Sequence, residues 1–334
     1  MKYNKFLVCG GAGFVGSHLV DSLLSNGAEK VVVVDNMHLG TLENLHQSFK
    51  TKRVILYRED ARYLTALENI IDLEKPEVIF NLAVKCLPYG FIDPEGSFMT
   101  GVEIAQNLAD LLRQKKYKKL IHFSSSEAYG SAKTLGCMGE DHPLDPTTPY
   151  GAGKASADLL LISYHKLFNL NISILRPFNL YGPRQNMELY AAVIPMTINN
   201  ILYGKNPVIE GDGNQTRDFT YVKDVTDFAV KLVDSDKIVG RVINLGQGTE
   251  LSINDLMCLI CKIMELPIQE IEYKPPRPSD VERLFADISL AKKLLDYNPK
   301  TSLETGLILT KRWLENRKDK QVHFCDSLRF VERY

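Results

Sequence analysis

Short apolar runs alternate with longer helical stretches through the first half of the chain, and this alternation constrains the fold more strongly than any other feature. Most of the runs are rich in β-branched residues and show no polar face, which is typical of strands buried on both sides. The stretches between them repeat apolar residues with helical spacing. The runs are KFLVC, KVVVVD, VILYRED, EVIFNLA, KLIHFSS and NISILRPF. Strand and helix in regular alternation predict an α/β fold with a doubly wound parallel sheet, covered by helices on both faces.

The alternation weakens after residue 180, where segments rich in Gly and Pro separate shorter elements. A chain of 334 residues also exceeds the usual size of a single hydrophobic core. We therefore predict a sheet domain at 1–180, a smaller C-terminal α/β lobe at 181–316 and an extension at 317–334 without an assigned role.

The overall charge excludes some classes of partner. The net charge is -1, so no broad positive field would attract nucleic acid or an anionic membrane. No apolar run approaches the roughly 20 residues that a membrane-spanning helix needs, and the N-terminus leads straight into a strand, so we expect a cytoplasmic protein. Cys258 and Cys261 lie in an apolar helical pattern without a second ligand pair, which favours core packing over a metal site.

A glycine-rich turn joins the first strand to the first helix. Gly10, Gly13 and Gly16 allow close approach of a ligand to the backbone, so a pyrophosphate can bind the amides at the helix N-terminus. The second strand ends in Asp35, whose carboxylate can accept hydrogen bonds from both ribose hydroxyls and would repel a 2′-phosphate. The arrangement predicts a Rossmann-type site with NAD as the cofactor. The alternative is an ordinary tight turn followed by an exposed Asp.

A pair of polar residues stands at the start of a later helix. Tyr150 precedes Lys154 by four residues, so both side chains lie on one face of that helix. An ammonium group near a phenol favours the phenolate, and Tyr150 could then remove a hydroxyl proton while the same carbon is oxidised. An exposed surface pair is the alternative. The setting favours catalysis, because the pair follows a serine-rich strand end, SSSEAYG, and the nucleotide turn.

The motifs taken together resemble one enzyme family. They are GGAGFVG, VVDN, NLA, SSSEAYG, YGAGK, RPFNLYGPR, GDGNQTRDFTYVKDV and RPSDVERLFAD, spread from about residue 4 to about residue 315. The chain is similar to the extended short-chain dehydrogenase/reductase family, which includes NAD-dependent nucleotide-sugar epimerases and dehydratases. The resemblance implies tightly held NAD, a nucleotide-diphosphate sugar as substrate, a homodimer, and a C-terminal lobe that mainly binds the substrate.

The resemblance also implies roles for individual residues. Ser125 would share the sugar 4-hydroxyl with Tyr150, and Lys154 would also contact the nicotinamide ribose. The implied NAD site comprises Gly10, Gly13, Phe14, Val15, Gly16, Asp35, Asn36, Asp60, Ala61, Leu82, Ala83, Tyr150 and Lys154. The implied ligands of the substrate diphosphate or its ribose are Asn179, Arg217 and Arg277. For each Arg a structural role is also open. Lys85 could reach cofactor or substrate, or it could be a solvated loop residue.

Glu127 decides which reaction the resemblance favours. Simple 4-epimerases carry Thr or Ser at this position, whereas 4,6-dehydratases carry Glu, which can remove the carbon 5 proton once carbon 4 is a ketone. Ser126 stands where many glucose-nucleotide dehydratases have an Asp as the acid for the leaving hydroxyl. A Ser-Glu pair resembles mannose-type dehydratases and uronate decarboxylases instead. Leu284 occupies the place of the Arg that holds the carboxylate in the decarboxylases, with Arg283 next to it.

We therefore predict an enzyme that dehydrates a nucleotide-linked hexose across carbons 5 and 6. Its predicted catalytic residues are Ser125, Ser126, Glu127, Tyr150 and Lys154. The alternatives are a 4-epimerase, a uronate decarboxylase and a non-catalytic NAD-binding protein. Glu127 could also have a structural role, by pairing with a cation or by capping a turn.

Overall fold

The computed structural model describes residues 1–187, 192–276 and 280–317. Its α-helices are α1 Phe14–Ser25, α2 His46–Lys50, α3 Leu64–Glu74, α4 Pro94–Arg113, α5 Pro149–Phe168, α6 Val193–Leu202, α7 Val222–Lys231, α8 Ile253–Met264, α9 Ser289–Leu295 and α10 Leu303–Glu315. Its strands are β1 Lys5–Cys9, β2 Lys30–Val34, β3 Val54–Tyr57, β4 Val78–Asn81, β5 Lys119–Phe123, β6 Ile172–Pro177, β7 Leu180–Tyr181, β8 Val208–Glu210, β9 Thr216–Arg217, β10 Thr220–Tyr221, β11 Val242–Leu245, β12 Leu251–Ser252, β13 Glu272–Lys274 and β14 Arg283–Leu284.

A seven-stranded sheet forms the centre of the molecule. Its strand order is β11-β6-β5-β4-β1-β2-β3, and every neighbouring pair is parallel. The chain fills one side of β1 with β2 and β3 and then crosses to the other side with β4, β5 and β6. Ligands of such sheets bind outside the carboxyl ends of the strands, where the order reverses. The structure confirms the predicted Rossmann-type α/β fold.

Alternate residues of the central strands feed two separate cores. Phe6 and Val8 of β1 belong to the core that includes α1 and α7, whereas Leu7 and Cys9 belong to the core that includes α3, α4 and α5. All four side chains are fully buried. Burying one large apolar side chain stabilises a protein by roughly 1.5–3 kcal/mol. The continuous apolar runs in the sequence are therefore explained by a sheet that is covered on both faces.

The part of the chain after residue 180 forms a third core of its own. It packs α6, α8 and α10 against short two- and three-stranded sheets, which pair β10 with β7, β9 with β12 and β14, and β13 with β8. The side chains that share this core include Ile194, Ile198, Leu256, Met257, Ile260, Leu307 and Leu314. Two later elements return to the first layers, because β11 joins the main sheet and α7 packs on α1.

The two cysteines of α8 have different environments. Cys261 is fully buried, whereas Cys258 is exposed. The prediction of core packing is therefore right for Cys261 and wrong for Cys258. The reason is geometric, because the buried arc of α8 runs through Leu256, Met257 and Ile260, and Cys258 lies outside that arc.

Within the described ranges, no helix is long and apolar enough to cross a bilayer, and a cytoplasmic location stays a prediction. Of the predicted extension 317–334, the described residues include Arg317 alone. Its guanidinium pairs with Glu43 at 2.5 Å and lies 4.7 Å from the ring centre of Trp313.

Candidate functional site

The glycine turn places backbone amides where β1 meets α1. Gly10 has a φ of +77°, which favours glycine, and a Cβ there would lie 2.8 Å from the amide nitrogen of Ala83. A Cβ at Gly16 would collide with the carbonyl oxygen of Gly10. Gly13 is the N-cap of α1 and supplies no side-chain cap for the first helical amides. The turn is therefore closed to side chains while its amides can bind an anion.

Asp35 closes the same cradle from the end of β2. Its carboxylate accepts hydrogen bonds from the backbone amides of Ala12 and Met37, each at 2.9 Å. Burial raises the pKa of this carboxyl, and the amide hydrogen bonds act in the opposite direction. The residue is 7% exposed, so the alternative of an exposed Asp after an ordinary turn is wrong.

The residues predicted for the NAD site after β2 and β3 form one hydrogen-bonded surface. Asn36 donates to Asp60 at 3.2 Å, and Arg62 donates to the same carboxylate at 2.9 Å. Burial favours a raised pKa for Asp60, but the hydrogen bonds from Arg62 and Asn36 outweigh it and lower the pKa. The carbonyl of Ala61 accepts from Asn107 at 3.2 Å. The surface is thus held in place by contacts between three elements.

Four further predicted cofactor residues line the space above the sheet edge. Phe14 meets His18 edge to face, with ring centres 6.0 Å apart, and Val15 packs against the first core. Leu82 and Ala83 follow β4 and pack against opposite cores. The structure brings these residues to the glycine turn, and their contact with NAD stays a prediction.

Lys85 is held by protein groups. Its Nζ donates to Asp93 at 2.6 Å and lies 5.1 Å from the ring centre of Tyr89. Asp93 also caps α4 by accepting from the amide of Gly96 at 2.9 Å. Lys85 is therefore a partly exposed loop residue whose charge is compensated by Asp93.

Helix α5 begins at a point that its cap fixes. The hydroxyl of Thr148 accepts from the amide of Gly151 at 3.1 Å, and Pro149 occupies the first helical position, where no amide is needed. This start places Tyr150 and Lys154 in the first two turns, facing the end of β5.

Burial dominates the ionisation of both groups. Burial raises the pKa of Tyr150, while the hydroxyl of Ser125 acts in the opposite direction. Burial lowers the pKa of Lys154 to about 8, against the attraction of Asp158. Its Nζ lies 6.0 Å from the ring centre of Tyr150 and donates to the carbonyl of Phe123 at 2.7 Å. A lysine of this kind is mostly charged at neutral pH, and its charge favours the phenolate.

The end of β5 places three predicted catalytic residues opposite α5. Ser125 caps a short 3₁₀ turn by accepting from the amide of Glu127 at 3.2 Å, and Ser126 is 2% exposed. Glu127 as a whole residue is partly exposed. Burial raises its pKa, nearby Arg217 lowers it, and Asp280 raises it. Among the described residues, none donates a hydrogen bond to this carboxylate or pairs with it. A structural role as a turn cap or ion-pair partner is therefore not seen in this part of the chain.

Comparison with known proteins now identifies the family. A sequence model for GDP-mannose 4,6 dehydratase matches residues 7–310. The chain belongs to the extended short-chain dehydrogenase/reductase family of nucleotide-sugar enzymes. A UDP-glucose 4-epimerase of Mycolicibacterium smegmatis is 33% identical over 314 residues, which are 94% of this chain and 99% of that protein. UDP-glucuronic acid decarboxylase 1 of Arabidopsis thaliana is 33% identical over 312 residues, which are 92% of this chain and 68% of that protein.

A solved structure from the same family supports the fold and the cofactor. The dTDP-glucose 4,6-dehydratase of Streptomyces venezuelae, with NAD bound, matches with a TM-score of 0.89 at 26% identity and covers 96% of this chain and 99% of its own. The predicted family is confirmed, and the NAD in this neighbour agrees with the predicted cofactor. The three relatives catalyse an epimerisation, a decarboxylation and a dehydration, so membership of the family does not select the reaction.

The predicted substrate ligands of this short-chain dehydrogenase/reductase lie after β6. Asn179 has a φ of +30°, and its Nδ2 is buried with no hydrogen-bond acceptor among the described residues. The Arg217 side chain is 11% exposed and donates to Asp280 at 2.7 Å. Arg277 lies outside the described residues. Both located side chains lie beside the sheet edge that carries Glu127, and their role toward a substrate stays a prediction.

Arg283 and Leu284 bear on the decarboxylase alternative. The Nε and Nη2 atoms of Arg283 donate to the two carboxylate oxygens of Glu250 at 2.5 and 2.7 Å, and Nη1 donates to the carbonyl of Thr134 at 2.8 Å. Leu284 is fully buried. The guanidinium of Arg283 is therefore already bound by protein groups, and Leu284 has no charge with which to bind a substrate carboxylate.

Two features of the site are not predicted from the sequence. Gly151 lies so close to the turn at Glu127 that a Cβ would be 2.5 Å from its carbonyl oxygen, which explains a glycine directly after Tyr150. Asp158 is fully buried on α5, below the predicted catalytic pair. Its position four residues after Lys154 on the same helix face is the sequence pattern that could have indicated it.

Proposed function

We propose that this protein is an NAD-dependent nucleotide-sugar 4,6-dehydratase. The observation that carries the proposal is the setting of Glu127 at the end of β5. Its backbone amide donates to the Ser125 hydroxyl, the charge of Arg217 acts on its carboxyl, and burial raises the pKa of that carboxyl. A carboxylate that no described residue engages and that has a raised pKa is a better base than an exposed one. A simple 4-epimerase needs no second base.

The glycine turn fits a dinucleotide. A side chain at Gly10 or Gly16 would fill the space that the pyrophosphate needs, and the buried Asp35 carboxylate stands at the end of the next strand, where the ribose hydroxyls would bind. Leu82 and Ala83 would flank the channel toward the nicotinamide. When bound, NAD accepts a hydride from the sugar and later returns it.

The first step oxidises carbon 4 of the sugar. Tyr150 takes the proton of the 4-hydroxyl, and Ser125 donates a hydrogen bond to the same oxygen. The charged Lys154 stabilises the phenolate that this step requires. The three residues together are more than a binding module would need, and this argues against a non-catalytic protein.

The second step uses the ketone at carbon 4 to eliminate water. The ketone acidifies the hydrogen on carbon 5, Glu127 removes it, and a double bond forms between carbons 5 and 6 as the 6-hydroxyl departs. A serine hydroxyl is too weak an acid to protonate that leaving group, so Glu127 returns the proton, and Ser126 assists as a hydrogen-bond partner. Reduction at carbon 6 and protonation at carbon 5, with the proton that Tyr150 took from the 4-hydroxyl passed on to carbon 5, complete a 4-keto-6-deoxy sugar.

The C-terminal lobe would hold the nucleotide diphosphate. Arg217 supplies a guanidinium beside Glu127, and the buried Nδ2 of Asn179 is a donor without an acceptor among the described residues. A chain with a net charge of -1 needs such local donors for a dianionic pyrophosphate.

A 4-epimerase of the same substrate class is the second candidate. It is favoured by the 33% identity to the epimerase of Mycolicibacterium smegmatis over nearly the whole chain. A uronate decarboxylase has less support, because the Nε and Nη2 atoms of Arg283 both donate to the carboxylate of Glu250.

The test is incubation of the purified enzyme with UDP-, GDP-, dTDP- and CDP-hexoses, followed by mass spectrometry. A dehydratase yields a product lighter by one water. A product of unchanged mass with an inverted carbon 4 would replace the dehydratase by the epimerase. Loss of carbon dioxide from a uronate would establish the decarboxylase instead.

A homodimer is part of the same proposal. Helices α4 and α5 pack side by side, and α5 leaves Leu159, Leu167 and Phe168 57%, 75% and 43% exposed. Burying such residues against a second copy would be favourable. Light scattering should give the mass of two chains, and a Leu159→Glu, Leu167→Glu variant should give that of one.

A further inference from the structure

A single buried carboxylate connects three elements of the catalytic region. Asp158 of α5 accepts a hydrogen bond from Ser124 Oγ at 2.7 Å and from Arg176 Nε of β6 at 2.8 Å. Asp158 is fully buried, and Ser124 and Arg176 are 4% and 2% exposed. Ser124 directly precedes Ser125, so the carboxylate ties the catalytic strand end to the helix that carries Tyr150.

The same carboxylate lies one helical turn after Lys154. Residues four apart in a helix share a face, so Asp158 and Lys154 are neighbours below the site. Asp158 is the charge that favours the ammonium form of Lys154, while burial of Lys154 opposes that form. Removing a buried ammonium from water is expensive unless an opposite charge is close. A charged Lys154 therefore depends on a charged Asp158.

We propose that Asp158 is a positioning residue that keeps Lys154 protonated and holds the Ser124–Ser125 strand end against α5. The inference rests on the proposed roles of Tyr150 and Lys154, and it extends them to a residue that would touch neither substrate nor cofactor. It also assigns a task to Arg176, whose guanidinium lies 4.6 Å from the ring centre of Tyr129: burial raises the pKa of Asp158, and Arg176 acts in the opposite direction, toward the ionised carboxylate.

The charged and titratable neighbours of this pair come from every element around it. Those that face Lys154 or Asp158 are Tyr150 on α5, His122 on β5 and Arg176 on β6, and Glu127 in the strand-end turn acts on Tyr150. Burial and the nearby cations lower the pKa of His122, which is therefore neutral at pH 7. Its Nε2 lies 3.9 Å from Asp158 Oδ1, and neither atom has a hydrogen-bond partner among the described residues. Asp158 thus supplies the negative charge below Lys154.

A structural role and a positioning role have different consequences. If Asp158 merely anchors Ser124 and Arg176, removing its charge would lower stability and leave the titration of Lys154 unchanged. If it holds the proton on Lys154, the same change must move the titration midpoint of Lys154 to lower pH. The phenolate of Tyr150 would then lose its cation at a pH where the parent still has it.

The experiment follows Lys154 directly by NMR of full-length protein with ¹³C-labelled lysine, with the signal assigned by its absence in Lys154→Met. In the parent, the titration midpoint of Lys154 should lie at about 8. In Asp158→Asn we expect a lower midpoint, and in Asp158→Glu, which restores the carboxylate, a return toward the parent. A midpoint in Asp158→Asn equal to or above that of the parent would overturn the inference.

A second variant covers the case in which Asp158→Asn does not fold. Asp158→Asn combined with Arg176→Gln removes both charges and leaves no buried charge without its partner, which proteins tolerate better than half a pair. The variant still removes the Asp158 charge that favours the ammonium form of Lys154, so the midpoint should again fall. An unchanged titration midpoint of Lys154 in this variant would show that Asp158 only binds Arg176 and does not keep Lys154 protonated, which would overturn the inference.

A matched control and an activity readout complete the design. Glu74 is a buried carboxylate at the end of α3 that accepts from Tyr57 at 2.6 Å, and Glu74→Gln should leave the Lys154 midpoint unchanged. In Asp158→Asn the alkaline limb of bound NADH formation should move in the same direction as the midpoint. A shifted midpoint in a protein that forms no 4-keto-6-deoxy product would keep this inference and refute the dehydratase, so the two failures are distinguishable.

Discussion

The glycine turn and the catalytic wall depend on different kinds of interaction. The catalytic wall is the surface formed by Ser125–Glu127 and by the first two turns of α5. The glycine turn works through backbone shape, because a Cβ at Gly10 or Gly16 would overlap neighbouring main chain. The catalytic wall works through partly or fully buried side chains whose charges depend on one another. Substitutions that keep the size and shape of a side chain should therefore leave the structure of both regions unchanged. In the catalytic wall, however, such substitutions should abolish or reduce activity.

The largest expected effect comes from Tyr150→Phe in the catalytic wall. The substitution keeps the ring and removes the proton acceptor for the 4-hydroxyl. We expect turnover to fall by about a hundredfold to ten-thousandfold, with NAD still bound after purification. The measurement is product formation beside the NAD content of the protein. Turnover at the parent rate would remove Tyr150 from the mechanism.

The next effect comes from Glu127→Gln, which has the same shape and no base. Dehydration should fall by about a hundredfold or more, while oxidation at carbon 4 continues and bound NADH accumulates during one turnover. Absorbance of the bound cofactor separates the two steps. Parental dehydration in this variant would show that the base lies elsewhere.

Gly16→Ala tests the glycine turn by shape alone. The added Cβ collides with the carbonyl of Gly10, so the turn must open, and we expect a loss of about 1–3 kcal/mol in the free energy of unfolding together with weaker NAD binding. Gly101→Ala in α4 is the matched control, because nothing lies within 4 Å of its Cβ position. That control should be neutral or stabilising by up to about 1 kcal/mol. Equal behaviour of the two variants in calorimetry and NAD titration would contradict a steric role for the turn.

The smallest effect is a pH dependence confined to the catalytic wall. Burial lowers the pKa of Lys154 to about 8, and the mechanism needs its charged form. kcat/KM should therefore fall as pH rises through that value, by about tenfold for each further pH unit. NAD affinity should change little over the same range. A flat profile up to pH 10 would show that Lys154 is not required in its charged form.

The sequence determined the layers of the fold and the backbone path of the glycine turn. Strands without a polar face must be covered on both sides, and a strand, a glycine turn and a helix in direct succession leave few alternatives for the backbone. The return of β11 to the main sheet was not predicted, because the strand is short and its pairing with β6 joins residues far apart in the chain. The exposure of Cys258 was missed for a related reason, since an apolar pattern does not fix the centre of a buried arc.

For the catalytic wall, the sequence and the tertiary structure determined different properties. The sequence itself determined which residue types are available: a Tyr and a Lys one helical turn apart, and a Glu after a serine-rich strand end. Tertiary structure alone decided their charges, because burial lowers the pKa of Lys154 and raises that of Glu127, and burial depends on distant elements. It also decided that Arg283 is engaged by Glu250 and that Asp158 lies beneath the catalytic pair. Electrostatic energies depend on distance and desolvation, and neither quantity is a property of residue order.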